Sequence, residues 1–210
     1  MWFSEALAAA VLFSISGILF KANARDHLRA EIFFFCLYAA GSLLLLIYIL
    51  ATNELELNFH SIAAGTVIGI GVGAGNYLFA RALKVGPICL TSPLIHFNVV
   101  FLVIGAVIYY GETLNFKSGL LVSLLMLSLV ILAIDPNEKL NISSRSWYML
   151  VIAASFFFAI RNGGLKVTNE LGIHPDSVLF IGYLGPAIWF YFMKKRSGLM
   201  LSSRRSYSYG

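Results

Sequence analysis

The sequence predicts an all-α polytopic transmembrane bundle of about seven spans. Three observations carry that expectation: an extreme apolar composition, regularly spaced hydrophobic segments, and an internal repeat. Hydrophobic residues fill 59% of the 210 positions and charged residues 12%, with mean hydropathy +0.83. No soluble domain of this length can hide that much apolar surface. The formal charge of +5 does not point to nucleic acid, because Lys and Arg stand at the ends of apolar runs rather than along one amphipathic face. Cys36 and Cys89 lie singly inside apolar runs, with no CxxC and no histidine cluster beside them, and read as small packing residues.

A hydrocarbon core about 30 Å thick requires roughly 20 mostly apolar residues per helical span. Seven segments qualify, at residues 3–20, 32–51, 61–83, 88–110, 116–134, 147–165 and 177–193. The first has Glu5 at its start and no positive residue before it, while Lys21, Arg25 and Arg29 follow. That order is the order of a retained anchor, so Ala22-Asn23-Ala24 is not taken as a signal-cleavage site. The connectors are short and carry charge, Pro, Gly or Asn where a helix should stop. The longest, residues 135–146 (DPNEKLNISSRS), is the best internal boundary, and residues 194–210 form a basic polar tail or an interrupted continuation. Lipid leaves no water to satisfy a loose backbone, so tightly joined helices are the architecture these segments imply.

One fixed offset of 145 positions carries Trp2 onto Trp147, Phe13 onto Phe158, Ile15 onto Ile160 and Lys21 onto Lys166. The register continues into the next segment, where Glu31 meets Asp176, Phe35 meets Phe180 and Tyr38 meets Tyr183. Apolar identities are cheap in membrane segments, whereas Trp, Lys, an acid and Tyr at a single offset are not. Residues 1–134 thus hold one five-helix unit, and residues 147–193 repeat its first two helices. Consecutive units of an odd number of helices cross the membrane in opposite senses, which gives an inverted-topology repeat.

Charge offers an independent check, since positive loops stay cytoplasmic and an inverted copy must exchange its basic and non-basic connectors. The connector with Lys21, Arg25 and Arg29 has a counterpart that keeps only Lys166. The connector with Glu54 and Glu56 has neither Lys nor Arg, but its counterpart has Lys194, Lys195, Arg196, Arg204 and Arg205. With Arg81, Lys84, Lys139 and Arg145 in the cytoplasmic set, the expectation is a multi-pass cell-membrane protein with its N-terminus outside and its basic C-terminal tail in the cytoplasm.

The stretch KVGPICLTSPLIHFNVVFLVIGAVIYYGETLNFKSGLLVSLLMLSLVILA, residues 84–133, resembles the fourth and fifth helices of EamA-type members of the drug/metabolite transporter superfamily. Pro87 and Pro93 early in the fourth helix, the Gly111-Glu112 pair at its end and Gly119 in the fifth carry the resemblance. It implies a ten-helix solute carrier of two inverted five-helix copies, of which this chain lacks counterparts of helices eight to ten. A homodimer or a separate chain is then the implied source of the missing helices. The small multidrug-resistance relatives carry a mid-membrane glutamate in helix one. Here Glu5 lies at the helix start and Ser14 and Ser16 occupy the middle, so that proton-antiport chemistry is not carried over.

Polar side chains inside a bilayer need partners and tend to face a bundle interior. Asn76, in the glycine-rich third segment, faces either solute or a neighbouring helix. Gly65, Gly69 and Gly73 share its stripe and Gly71 and Gly75 form another, both read as close-packing surfaces. In the fourth segment Thr91, Ser92, His96 and Asn98 occupy less than half the circumference at about 100° per residue, a one-sided stripe suited to a cavity wall. Pro93 removes a backbone donor there. Near the end of the sixth segment, Arg161 and Asn162 adjoin Gly163 and Gly164; the arginine either snorkels to the interface or binds an anionic group. Glu112 is read as a helix-end marker, with Thr113 or Asn115 capping the fifth helix. Tyr109, Tyr110, Trp147, Tyr148 and Trp189 are expected in interfacial aromatic belts.

These readings combine as a membrane transporter of small polar or amphipathic metabolites working by alternating access, with Asn76, Thr91, Ser92, His96, Asn98, Arg161 and Asn162 along the path. Its partners are the lipid bilayer and a small-molecule solute. No nucleotide loop, metal cluster or nucleophile constellation is present, so no cofactor, metal site, nucleic-acid partner or enzymatic activity is expected. A lipid-acting enzyme would concentrate acids or histidines at the interface, and His27, His60, His96 and His174 are scattered singly. A seven-helix receptor or assembly protein, for which the repeat is accidental, and a non-autonomous fragment of a ten-helix carrier are the other readings.

Overall fold

The computed structural model describes residues 4, 7, 8, 11, 15, 19, 20, 30–52, 55–133 and 145–207, leaving aside the side chains at 88, 89 and 197–207. All regular structure among these residues is helical: α1 (Ala30–Thr52), α2 (Phe59–Val85), α3 (Ile88–His96), α4 (Asn98–Tyr110), α5 (Phe116–Ala133), α6 (Arg145–Glu170) and α7 (Pro175–Tyr207). The first predicted segment is helical at its seven described positions. Lys21, Arg25, Arg29 and most of the 135–146 connector lie outside the described residues. Five stretches are long and apolar enough to span a bilayer: Ala30–Thr52, Phe59–Val85, Leu90–Tyr110, Arg145–Glu170 and Pro175–Arg196. Phe116–Ile131 is a shorter apolar helix. The chain is a multi-pass helical membrane protein.

Helix ends follow local chemistry. Asn58 caps α2, its side-chain oxygen accepting from the Ser61 N–H at 2.8 Å and the Ser61 hydroxyl at 2.9 Å. Asn115 does the same for α5 through the Ser118 N–H at 2.8 Å. Gly111 ends α4 in the left-handed region (φ 64°), returning its N–H to the Ala106 carbonyl. At Gly172 (φ 64°), α6 closes with paired bonds, Gly172 N–H to Asn169 O at 3.1 Å and Ile173 N–H to Thr168 O at 3.0 Å. That reciprocal closure needs a residue free of a Cβ penalty.

Helix α2 is central. Lipid tails are as apolar as leucine, so helices associate here by close packing rather than by escape from water. The two predicted glycine stripes of α2 each serve one helix. Gly65, Gly69 and Gly73 receive Ile181, Gly182 and Pro186 of α7, while Gly71 and Gly75 receive Phe157, Phe158 and the Arg161 backbone of α6. A Cβ at Gly71 would stand 2.9 Å from the Phe157 carbonyl oxygen, closer than real contacts allow. Helix α1 packs against α7 through aromatic rings: Phe34 and Phe190 have centroids 5.1 Å apart, and Tyr38 and Tyr183 5.7 Å. Past α1, the Glu56 N–H donates to Ser177 Oγ at the start of α7. The beginning of α1 therefore meets the later part of α7, and its end meets the start, so the two run antiparallel. Tyr38 and Tyr183, joined by the 145-residue offset, touch one another.

The described connectors fall on two sides of the bundle. Gly86, between α2 and α3, receives the Trp147 ring at the start of α6. Residues 55–58 and 111–115 lie with the α6 to α7 turn, through Glu56 to Ser177 and through an ion pair between Glu112 and Lys166, whose ammonium also sits 5.3 Å over the Tyr110 ring. Helix α5 packs against α3 and is exposed along most of its length.

Trp147 departs from its expected interfacial place. It is 1% exposed, its ring packed with Ala82, Ile95, Val151 and Ala154 and its indole N–H donating to Thr91 Oγ1 at 2.9 Å. It has the depth of a belt residue but points inward, because the small Gly86 leaves room for the indole. Tyr109, 88% exposed, faces outward as a belt residue does.

Candidate functional site: a polar cluster at a broken helix

The fourth predicted segment is two helices. Pro93 has no N–H to give, and four residues later the chain turns at Phe97, whose N–H bonds Leu94 O at 3.2 Å in a tightened turn. Such a break frees backbone acceptors. One of them, Ile95 O, is taken by Asn98 Nδ2 at 2.6 Å. Asn98 is 3% exposed, so its amide nitrogen finds its partner inside the protein. Non-helical backbone at membrane depth is tolerated where protein covers it or a cavity borders it.

From that break a chain of bonds crosses to α6. Asn162 Nδ2 donates to Asn98 Oδ1 at 3.0 Å, and Arg161 Nη1 reaches Asn162 Oδ1 at 3.4 Å, a long bond. Across the interior, Asn76 Nδ2 of α2 donates to the Tyr38 hydroxyl of α1 at 2.6 Å, and that hydroxyl donates to Val72 O at 3.1 Å. The Arg161 backbone lies against Gly71 of α2, next to Val72. Tyr38, Val72, Phe97 and Arg161 all fall near the middles of their spans, so α1, α2, α4 and α6 contribute polar groups at one depth.

The predicted residues are thus partly gathered and partly dispersed. Asn76, Asn98, Arg161 and Asn162 belong to the mid-depth cluster. Thr91 is fully buried one helix end away, accepting the Trp147 N–H and donating to Pro87 O at 2.6 Å. Ser92 is half-buried beside it, and His96 faces outward. The expected single stripe on the fourth segment is accordingly divided: Thr91 and His96, five positions apart on one helix at about 100° per residue, face different sides. Tyr38 is the member of the cluster that sequence alone does not assign to the site. Its signal is the offset match with Tyr183, which marks both tyrosines as more than lipid-facing aromatics.

Arg161 lies deeper than the sequence suggests. Helix α6 continues past Leu165 to Glu170, which puts Arg161 nine residues from its end, about 13 Å at 1.5 Å per residue. A guanidinium at such depth costs about 2.5–3.5 kcal/mol on insertion scales. Its side chain is half-buried, and among the described residues it makes no ion pair. Glu112 and Lys166, by contrast, satisfy one another nearer the surface.

An open groove lies elsewhere. Thr66, Gly69, Ile70, Ile181, Leu184, Gly185, Pro186, Ile188 and Trp189 line about 390 Å³ between α2 and α7. Its one hydroxyl, Thr66, is already bonded to Ile62 O at 2.7 Å. A groove so poor in polar groups offers a polar metabolite little to orient it.

Comparison with known proteins bears on this arrangement. A family model described as the EamA-like transporter family matches residues 1–134, which include α1 to α5. No curated protein and no solved structure matches the chain.

Proposed function

The chain belongs to the EamA-like transporter family, and on that premise we propose that it carries small polar or amphipathic metabolites across the membrane by alternating access, binding them at the mid-depth cluster of Tyr38, Asn76, Asn98, Arg161 and Asn162. The observation that carries this reading is the bond between Asn98, at a broken helix, and Asn162, on the portion after residue 146. Carriers built of inverted repeats bind solute where such discontinuous helices meet the facing half, near the bilayer midplane. A repeat in opposite sense is supported by the antiparallel run of α1 against α7 and by the contact of the matched pair Tyr38 and Tyr183. Where two elements related by a two-fold axis pack against one another across it, matched residues meet at the axis. The charge exchange between connectors supports an orientation with the N-terminus outside and the basic end of α7 in the cytoplasm.

Reconstituting the purified full chain in proteoliposomes and measuring counterflow of a labelled metabolite panel tests the proposal. At least one solute should move saturably. Asn162→Leu should slow it about tenfold, the equivalent of one buried hydrogen bond. Movement of no solute by wild-type protein would overturn the reading.

A further inference from the structure

Resting on that reading of the cluster, we infer that the solute carries a carboxylate, and that Arg161 is the group that recognises it. The polar atoms gathered at mid-depth are unbalanced in charge and in hydrogen-bonding sense. Arg161 supplies a fork of five N–H donors and spends one of them on a long 3.4 Å bond to a neutral amide. Among the described residues no acid reaches it. In the whole sequence every Asp and Glu stands at or beyond the end of a hydrophobic segment.

The neighbouring groups share its sign. Asn162 and Asn76 each use one amide hydrogen within the cluster, to Asn98 Oδ1 and to the Tyr38 hydroxyl, and among the described residues the second has no acceptor. A guanidinium half-withdrawn from water beside amide donors is complementary to an oxyanion, and its planar fork matches a carboxylate in two parallel bonds. One positive charge balances one negative charge. A phosphate monoester, near two negative charges at neutral pH, would leave an excess in a site of low polarity. Arg161 falls on Ser16 under the 145-residue offset, so the recognition is confined to one half and gives the solute a fixed orientation.

Matched pairs that differ only in the ionised group test this: hexanoate against hexanamide and benzoate against benzamide, as labelled substrates and as competitors in proteoliposomes containing the full chain. Wild-type protein should favour each carboxylate about tenfold or more over its amide. Arg161→Gln should bring the two within about twofold, and Arg161→Lys, which keeps charge without the fork, should fall between. Equal handling of acid and amide by wild-type protein would overturn the inference while leaving the carrier reading intact. An unchanged ratio in a well-folded Arg161→Gln, checked by its elution as a single species in detergent, would do the same. Should Arg161→Gln fail to fold, the wild-type ratio decides the matter alone. Movement of neither acids nor amides, nor of any other solute, would remove the carrier reading and the inference with it.

Discussion

Thr91 and Trp147 show how a polar residue inside an apolar segment divides between structure and function. The hydroxyl of Thr91 accepts the indole N–H, which ties α3 to α6, and donates back to Pro87 O at the start of its own helix. Thr91→Val keeps the shape and leaves a fully buried N–H unpaired, which should cost about 1–3 kcal/mol. Trp147→Phe should then cost less in the Thr91→Val background than in the wild type, because no orphan donor remains. A double-mutant cycle on thermal unfolding in detergent measures this, and strict additivity would deny the bond its role. Transport by Thr91→Val should keep its half-saturating solute concentration. Asn76 cannot be assigned from sequence, since the choice between solute and neighbour depends on where Tyr38 lies 38 positions away. Arg161 escapes a sequence-based depth for a simpler reason: hydropathy ends a helix at the first polar residues, and α6 continues through Lys166, Thr168 and Asn169 to Gly172, where the left-handed turn stops it.

At the scale of elements, the pattern of glycines is fully legible, because their spacing alone sorts them onto two faces of α2. What spacing does not reveal is the partner of each face. The structure gives α7 to one and α6 to the other, both drawn from the portion after residue 146. Gly71→Ala should therefore be costly, since its new methyl meets the Phe157 carbonyl and the Arg161 backbone, which cannot yield separately. Overpacking of this kind costs about 1–3 kcal/mol, and melting in detergent should fall by several degrees. Gly105→Ala in α4, with nothing within 4 Å, should leave melting unchanged or slightly raised. Equal melting of the two variants would contradict the packing. The break at Phe97 is only half legible: Pro93 announces a weak point, but hydropathy runs unbroken from Leu90 to Tyr110, and a turn that keeps its residues apolar leaves no mark on composition.

For the whole molecule, the membrane class and the chain's helical nature come directly from composition, and the family match over residues 1–134 agrees with the motifs around Pro93, Gly111 and Glu112. The arrangement in space is a property of long-range contact. Polar groups from α1, α2, α4 and α6 meet at one depth only because α2 lets both α6 and α7 approach its backbone. In the conformation described, Asn98 is 3% exposed, so a carrier must expose it in other states, to one side and then to the other. A single cysteine at Asn98, with Cys36→Ser and Cys89→Ser, can be challenged by a membrane-impermeant thiol reagent applied to each face of oriented vesicles in turn. Cysteines at Arg29 and Glu54 serve as markers for the two faces, cytoplasmic and external in the proposed orientation. Modification of the Asn98 position from both faces is the predicted result; protection from both, or access from one face alone, would contradict alternating access at this cluster.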